Sequence, residues 1–236
     1  GISIPSSVTL IGDHSFSGCE SLSRVNIPSF VDSIGDHVFY RCNSLIEVTL
    51  EHPLSIKTIN KFAFCRCTSL ISFEIPSSVT FLGESAFKGC SKLKNITIPS
   101  SITSINDYTF YGCRSLTHIE IPSSVNSIGI YSFSDCSLIT YFEIPSLIVS
   151  IQENAFTGCL SLTHIKIPTS ITSIEHCAFQ NCTSLNQIEI PSSVTKIGNL
   201  AFCGCKSLTT ISIPSSVTEI GWSVFCSCYS LTQVLL

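Results

Sequence analysis

Residues 75–97 read IPSSVTFLGESAFKGCSKLKNIT, and residues 190–212 read IPSSVTKIGNLAFCGCKSLTTIS. The two stretches are one 23-residue pattern written twice, and the pattern extends in both directions until it fills the chain. Phe16, Phe39, Phe64, Phe87, Phe110, Phe133, Phe156, Phe179, Phe202 and Phe225 recur every 23 residues, with one step of 25. All ten prolines keep the same clock. Pro5, Pro28, Pro53, Pro76, Pro99, Pro122, Pro145, Pro168, Pro191 and Pro214 each precede their Phe by 11 residues. The two extra residues therefore fall between Leu50 and Pro53, and Glu51 and His52 are expected to form a small bulge at a turn. A strict period of this length marks a stack of coils, because one such unit cannot bury its apolar side alone. The expected organisation is a single repeat domain over residues 1–236, with ten units starting at Pro5, nine of 23 residues and one of 25.

Within a unit, Pro122, Val125, Ile128, Phe133, Cys136, Ile139, Phe142 and Ile144 mark the inward positions. Leu116, Ile119 and Ile121 alternate with polar residues and are mostly β-branched, so LTHIEI and its equivalents are expected to be short strands of one continuous parallel sheet. Proline stops each strand and Ser-Ser turns the chain. A second extended piece is expected over 125–128, and a single helical or 3₁₀ turn over 131–135.

Aligned, the unit reads IP-S-S-V-x-x-I-G-x-x-A-F-x-G-C-x-S-L-x-x-I-x. It resembles the BspA-like, or Treponema pallidum type, leucine-rich repeat, and is especially similar to the large set of such proteins in trichomonad parasites. The resemblance spans essentially the whole chain. It implies a leucine-rich-repeat solenoid, a right-handed curved superhelix with a parallel β-sheet on one face and short extended or one-turn helical segments on the other. It also implies a non-catalytic binding or adhesion module at the cell surface or secreted, recognising a protein or cell-surface ligand. An intracellular protein-interaction scaffold is the alternative, since 14 cysteines sit more easily in a reducing compartment. The family carries no common catalytic residues, and no cofactor is expected.

Composition narrows the partners. The net charge of −4 leaves no basic footprint for nucleic acid, and Ser, Thr, Pro or a charge interrupts every apolar run before it reaches membrane-spanning length. The chain contains no methionine and begins and ends in apolar strand residues, so it is expected to be a segment of a longer array or to associate end to end.

Cys19, Cys42, Cys67, Cys90, Cys113, Cys136, Cys159, Cys182, Cys205 and Cys228 each follow their Phe by three residues. Stacked coils align them at strand spacing, where parallel Cβ vectors do not suit a disulfide, so a buried thiol ladder donating to turn carbonyls is expected. Cys65, Cys177, Cys203 and Cys226 lie off that register, three of them in C-x-C pairs; Cys203 and Cys226 share a slot in adjacent coils, where a cross-link competes with two free thiols. His14 and His37, each after an Asp, are read as a solvated pair in preference to a metal site, and no metal is expected.

The information in the sequence sits elsewhere. Two and four residues past each unit's Leu, side chains point away from the core and vary freely. His118, Glu120, Tyr141, Glu143, His164, Lys166, Gln187 and Glu189 are expected to form one contiguous acidic patch with an aromatic at its centre, the candidate ligand-binding face. Two sequons, at Asn95 and Asn181, fall respectively on this face and beside the cysteine ladder.

Overall fold

The computed structural model describes residues 1–52 and 55–235 as a stack of coils built from paired short strands and turns, with no helix among them. The fold is a leucine-rich-repeat solenoid. Inward positions are those the repeat dictates: the register Phe side chains from Phe39 to Phe202 are buried, and their rings stack in one column with centroids 5.2 to 5.9 Å apart. That column is the spine of the core, and the Leu, Ile and Cys rows pack around it.

Two strand faces flank the core. One carries strands such as Arg24–Ile27, Asn95–Thr97 and Tyr141–Glu143; the other carries two-residue strands such as Ser127–Ile128 and Ser173–Ile174. All pairings are parallel and in register, Tyr141 facing His164 and Ser150 facing Ser173.

The sheet is not continuous. Among the described residues the first face divides into ladders joining Ile2–Ser3 to Arg24–Ile27 and Glu47–Leu50, Ser72–Glu74 to Asn95–Thr97, Tyr141–Glu143 to His164–Lys166, and Thr210–Ser212 to Gln233–Leu235. The segment LTHIEI, expected to be a strand, joins none of these ladders, although His118 and Glu120 still face out and Ile119 still faces in. Burial orients alternate side chains whether or not the backbone pairs, so alternation in sequence does not guarantee a ladder.

The unbroken ladder runs along the turns. In the coil holding Phe133, the amides of Tyr131, Phe133 and Asp135 donate to Glu153, Ala155 and Thr157 of the next coil at 3.1, 2.9 and 2.7 Å. The intervening amides of Ser132, Ser134 and Cys136 donate three residues back within their own coil. The inter-coil bonds recur at every junction between register coils, and in the coil donating across each junction the bonds three residues back recur at all such positions but Val38. The single helical turn expected over 131–135 is therefore absent, for a physical reason. A 3₁₀ turn spends every amide locally, whereas here half must hold the neighbouring coil. The backbone manages this with two left-handed residues per coil, two before and two after the Phe. The second slot holds Gly18, Gly89, Gly112, Gly158 and Gly204, with Arg, Asp, Asn or Ser elsewhere. The first slot never holds glycine: His14, His37, Phe62, Ser85, Tyr108, Tyr131, Asn154, Cys177, Leu200 and Ser223 all have φ between 53° and 59°. Several of these rings stack coil on coil, His14 on His37 at 4.5 Å, His37 on Phe62 at 4.6 Å and Tyr108 on Tyr131 at 4.9 Å.

The 25-residue unit keeps both the turn ladder and the second face in register, so its extra length is taken up where the first-face strand Glu47–Leu50 ends. His52 sits in a bend there; Pro53, which follows the expected bulge of Glu51 and His52, lies outside the described residues.

Candidate functional site

Parallel coils bring residues 23 apart into contact, and this builds the candidate face. All eight residues of the expected patch are exposed. Tyr141–Glu143 and His164–Lys166 form its centre as a paired ladder, with Tyr141 beside His164 and Glu143 beside Lys166. Lys166 Nζ lies 2.6 Å from Glu143 Oε1, and Tyr141 Oη donates to Glu143 Oε2 at 3.3 Å. The Lys166 ammonium holds the Glu143 carboxyl below its ordinary range, and Glu143 in turn raises Lys166. Both side chains are exposed, so the pair adds little stability; its consequence is that the patch's lysine is already ion-paired within the face.

On one side of this centre, His118 and Glu120 belong to the unpaired segment and contact each other at 3.4 Å. On the other, the coil carrying Gln187 and Glu189 does not pair with His164–Lys166, and Glu189 joins only Ser212 through an isolated bridge. The seam opens a cleft of about 280 Å³ whose polar lining is Tyr141, His164, Lys166, Gln187 and Glu189. Five of the eight residues therefore meet in one concavity; His118 and Glu120 lie outside it, and Glu143 acts through Lys166. Ile165, Ile167 and Ile188 also line the cleft. Their place in the inward rows hides them from sequence reasoning, because what bares their edges is the missing ladder. Glu189 has no salt bridge among the described residues, so the net character of the cleft is acidic, with Tyr141, 42% exposed, as its aromatic.

The cysteines stand apart from this face. All fourteen are free thiols. From Cys42 to Cys228, each register thiol donates to the Phe carbonyl of the preceding coil at 3.1 to 3.3 Å. Burial pushes them up, Cys42 to about 11 and Cys159 to about 12, which leaves neutral, unreactive thiols at physiological pH. Cys65 and Cys177 are buried too, so Cys226 is the exposed thiol, and Cys203 and the terminal register thiols Cys19 and Cys228 are half-buried. Cys177 Sγ lies 3.3 Å from His176 Nε2, but burial and then Glu153 raise it, the opposite of what a nucleophile needs.

His14 and His37 are stacked within 10° of parallel, an arrangement whose in-plane lone pairs do not converge on one ion. Their neighbouring carboxylates are engaged as well: Asp13 Oδ1 accepts the Asp36 amide at 2.8 Å and Asp36 Oδ1 that of Lys61 at 3.1 Å. Burial, and secondarily His14, lowers His37. No cluster of three or more metal-ligating side chains occurs among the described residues. Asn95 is exposed on its strand; Asn181 is exposed too, because its left-handed φ of 59° turns it outward while Cys182 points in.

The family profile of the BspA type leucine-rich repeat region matches residues 1–115, 57–185 and 149–236, in six copies. Among solved structures, the leucine-rich repeat protein of T. pallidum is 27% identical over 78% of this chain and 82% of its own, with a TM-score of 0.62. A leucine-rich repeat protein of Eubacterium ventriosum is 22% identical over 95% of this chain and 82% of its own, with a TM-score of 0.64. The pneumococcal vaccine antigen PcpA is 19% identical over 98% of this chain and 66% of its own, with a TM-score of 0.66, a likeness of fold. No curated protein matches the chain.

Proposed function

Because the chain belongs to the BspA-type leucine-rich-repeat family, we propose that it is a protein-interaction module that docks a partner on its first strand face, centred on the cleft beside His164–Lys166. The carrying observation is that variable, exposed residues from successive coils converge there on one acidic concavity containing an aromatic side chain. Tyrosine in a concave polar setting is the composition of an interface anchor. With Lys166 already paired to Glu143, the unpaired Glu189 favours a partner segment carrying a basic residue. The work asked of the site is binding and orientation.

Display at a cell surface, with adhesion as the outcome, is the finer form of this reading and rests on the family. A specific observation favours the other location: fourteen unpaired thiols, with Cys226 exposed, persist most readily in a reducing compartment, where the same face serves an intracellular scaffold.

The test is a pair of surface variants. Tyr141→Ala with Glu189→Lys is expected to abolish binding to cell surfaces and to isolated partner proteins while leaving thermal unfolding unchanged. A control on the second face, Thr172→Ala with Thr195→Ala, is expected to bind normally. Equal binding by both variants refutes the assignment of the face.

A further inference from the structure

The single irregularity of the repeat coincides with a second opening in the same face. The extra residues Glu51 and His52 follow the strand Glu47–Leu50, which pairs fully with Arg24–Ile27 behind it but, among the described residues, with no strand in front. The next strand, Ser72–Glu74, pairs forward with Asn95–Thr97 instead. Nothing else in this coil has slipped: the amides of His37 and Phe39 still reach Lys61 and Ala63 at 2.9 and 2.8 Å, and Ser33, Thr58 and Phe81 stay in register. The coils thus part here on the first face only, as they also do between His164–Lys166 and the coil of Gln187 and Glu189. Between them lies a cleft of about 540 Å³, nearly twice the volume of the one beside His164 and within the range of small-molecule sites.

Its walls are core residues left half covered. Val25 and Ile27 in the coil behind, and Phe73 and Ile75 in the coil ahead, are buried, but Val48 and Leu50 at the same positions are only partly so. Together with Ile75 and Pro76 they make an apolar floor, and His52 and Glu74 stand at the rim. Glu47 is paired with Arg24 and Glu143 with Lys166, whereas Glu74 has no salt bridge among the described residues. A lone carboxylate above an apolar floor selects a ligand with an apolar body and one cationic group.

We propose that this cleft is a binding site for an organic ammonium compound, its hydrocarbon seated on Val48, Leu50 and Ile75 and its ammonium on Glu74. The inference is independent of the partner assigned to the Tyr141 region. Val48 and Leu50 of the floor lie in the coil that carries the two extra residues, and His52, one of them, stands at the rim.

The experiment uses 2-phenylethylamine as probe, with 2-phenylethanol and 3-phenylpropionate as neutral and anionic counterparts of similar shape, titrated by NMR against the full chain. The amine is expected to bind about tenfold more tightly than the alcohol, as a charge-assisted hydrogen bond implies, and the carboxylate more weakly still. Glu74→Gln should abolish the preference for the amine while retaining weak binding of both neutral and cationic probes. Val48→Phe, which fills the floor from a half-buried position, should eliminate binding of all three. Should that variant not fold, Leu50→Phe, also from a half-buried position, is the second blocking variant. Equal affinities for the three probes, or amine binding that survives both Val48→Phe and Leu50→Phe, overturn the proposal.

Discussion

Replacing Phe133 by alanine probes the column that organises the whole solenoid. Phe133 is fully buried, stacked between Phe110 at 5.5 Å and Phe156 at 5.7 Å, with Phe142 meeting it edge-on at 4.9 Å. Truncation removes contacts on three sides at once, and the unbroken turn ladder holds the coils at fixed spacing, so the void cannot collapse. The cost is expected near the usual range for buried aromatics, about 3 to 5 kcal/mol. For a chain of this size that corresponds to a fall in Tm of roughly 6 to 20 °C. Phe16 supplies the internal control. It is half-buried with one stacked neighbour, Phe39 at 5.5 Å, so Phe16→Ala should cost about 1 to 2 kcal/mol. Urea unfolding followed by circular dichroism measures both, and the slope of the transition adds information. A reduced slope in the Phe133 variant means that coils on either side of the gap unfold separately, as a nearest-neighbour stack allows. A midpoint unchanged by Phe133→Ala, or a Phe16→Ala penalty of the same size, would show that the column does not carry the core.

Other expectations concern thiols and glycines. Buried thiols are raised in the folded state, Cys42 and Cys65 to about 11 and Cys159 to about 12, while in the unfolded chain a thiol ionises near about 8.5. Above that pH the unfolded state holds fewer protons, so stability should fall with rising pH through about 11 to 12, and Cys159→Ala should make the fall shallower; a flat urea midpoint from about pH 7 to 10.5 contradicts this. In titration with an aromatic disulfide at neutral pH, Cys226 and then the half-buried Cys19, Cys203 and Cys228 should react in the folded protein and the buried thiols only after denaturation; uniform reactivity of all fourteen would count against the buried ladder. Gly112→Ala adds only the penalty of a left-handed alanine, about 1 to 2 kcal/mol, since its nearest neighbour would be Gly89 Cα at 3.7 Å. Gly83→Ala would place a Cβ 2.5 Å from Lys61 N and force two coils apart, so despite its ordinary φ it should cost as much or more, about 1 to 3 kcal/mol, with local loss of amide protection in hydrogen exchange.

Inside and outside were legible in the sequence because they follow from the chemistry of each residue at a fixed place in a 23-residue period. Phe133, Cys136 and Ile119 are inward, and Tyr141, His164 and Glu189 outward, as the pattern of apolar and polar positions requires. Which amides pair was not legible. Hydrogen bonding between coils depends on separations of a few tenths of an ångström between segments 23 residues apart, and those separations are set by the packing of the entire stack. The segment around His118 has the alternation of a strand and no ladder, while Tyr131–Asp135 has the polarity of a helical turn and instead forms part of the continuous ladder. The left-handed Tyr108 and Leu200 carry no glycine to announce them, because the hydrogen bonds of the stacked turns, and not local preference, hold their backbones. The eight-residue patch was thus visible as a row of variable side chains. Its division into a cleft, a paired centre and an open flank was decided by tertiary structure, because a seam appears only where neighbouring coils fail to meet.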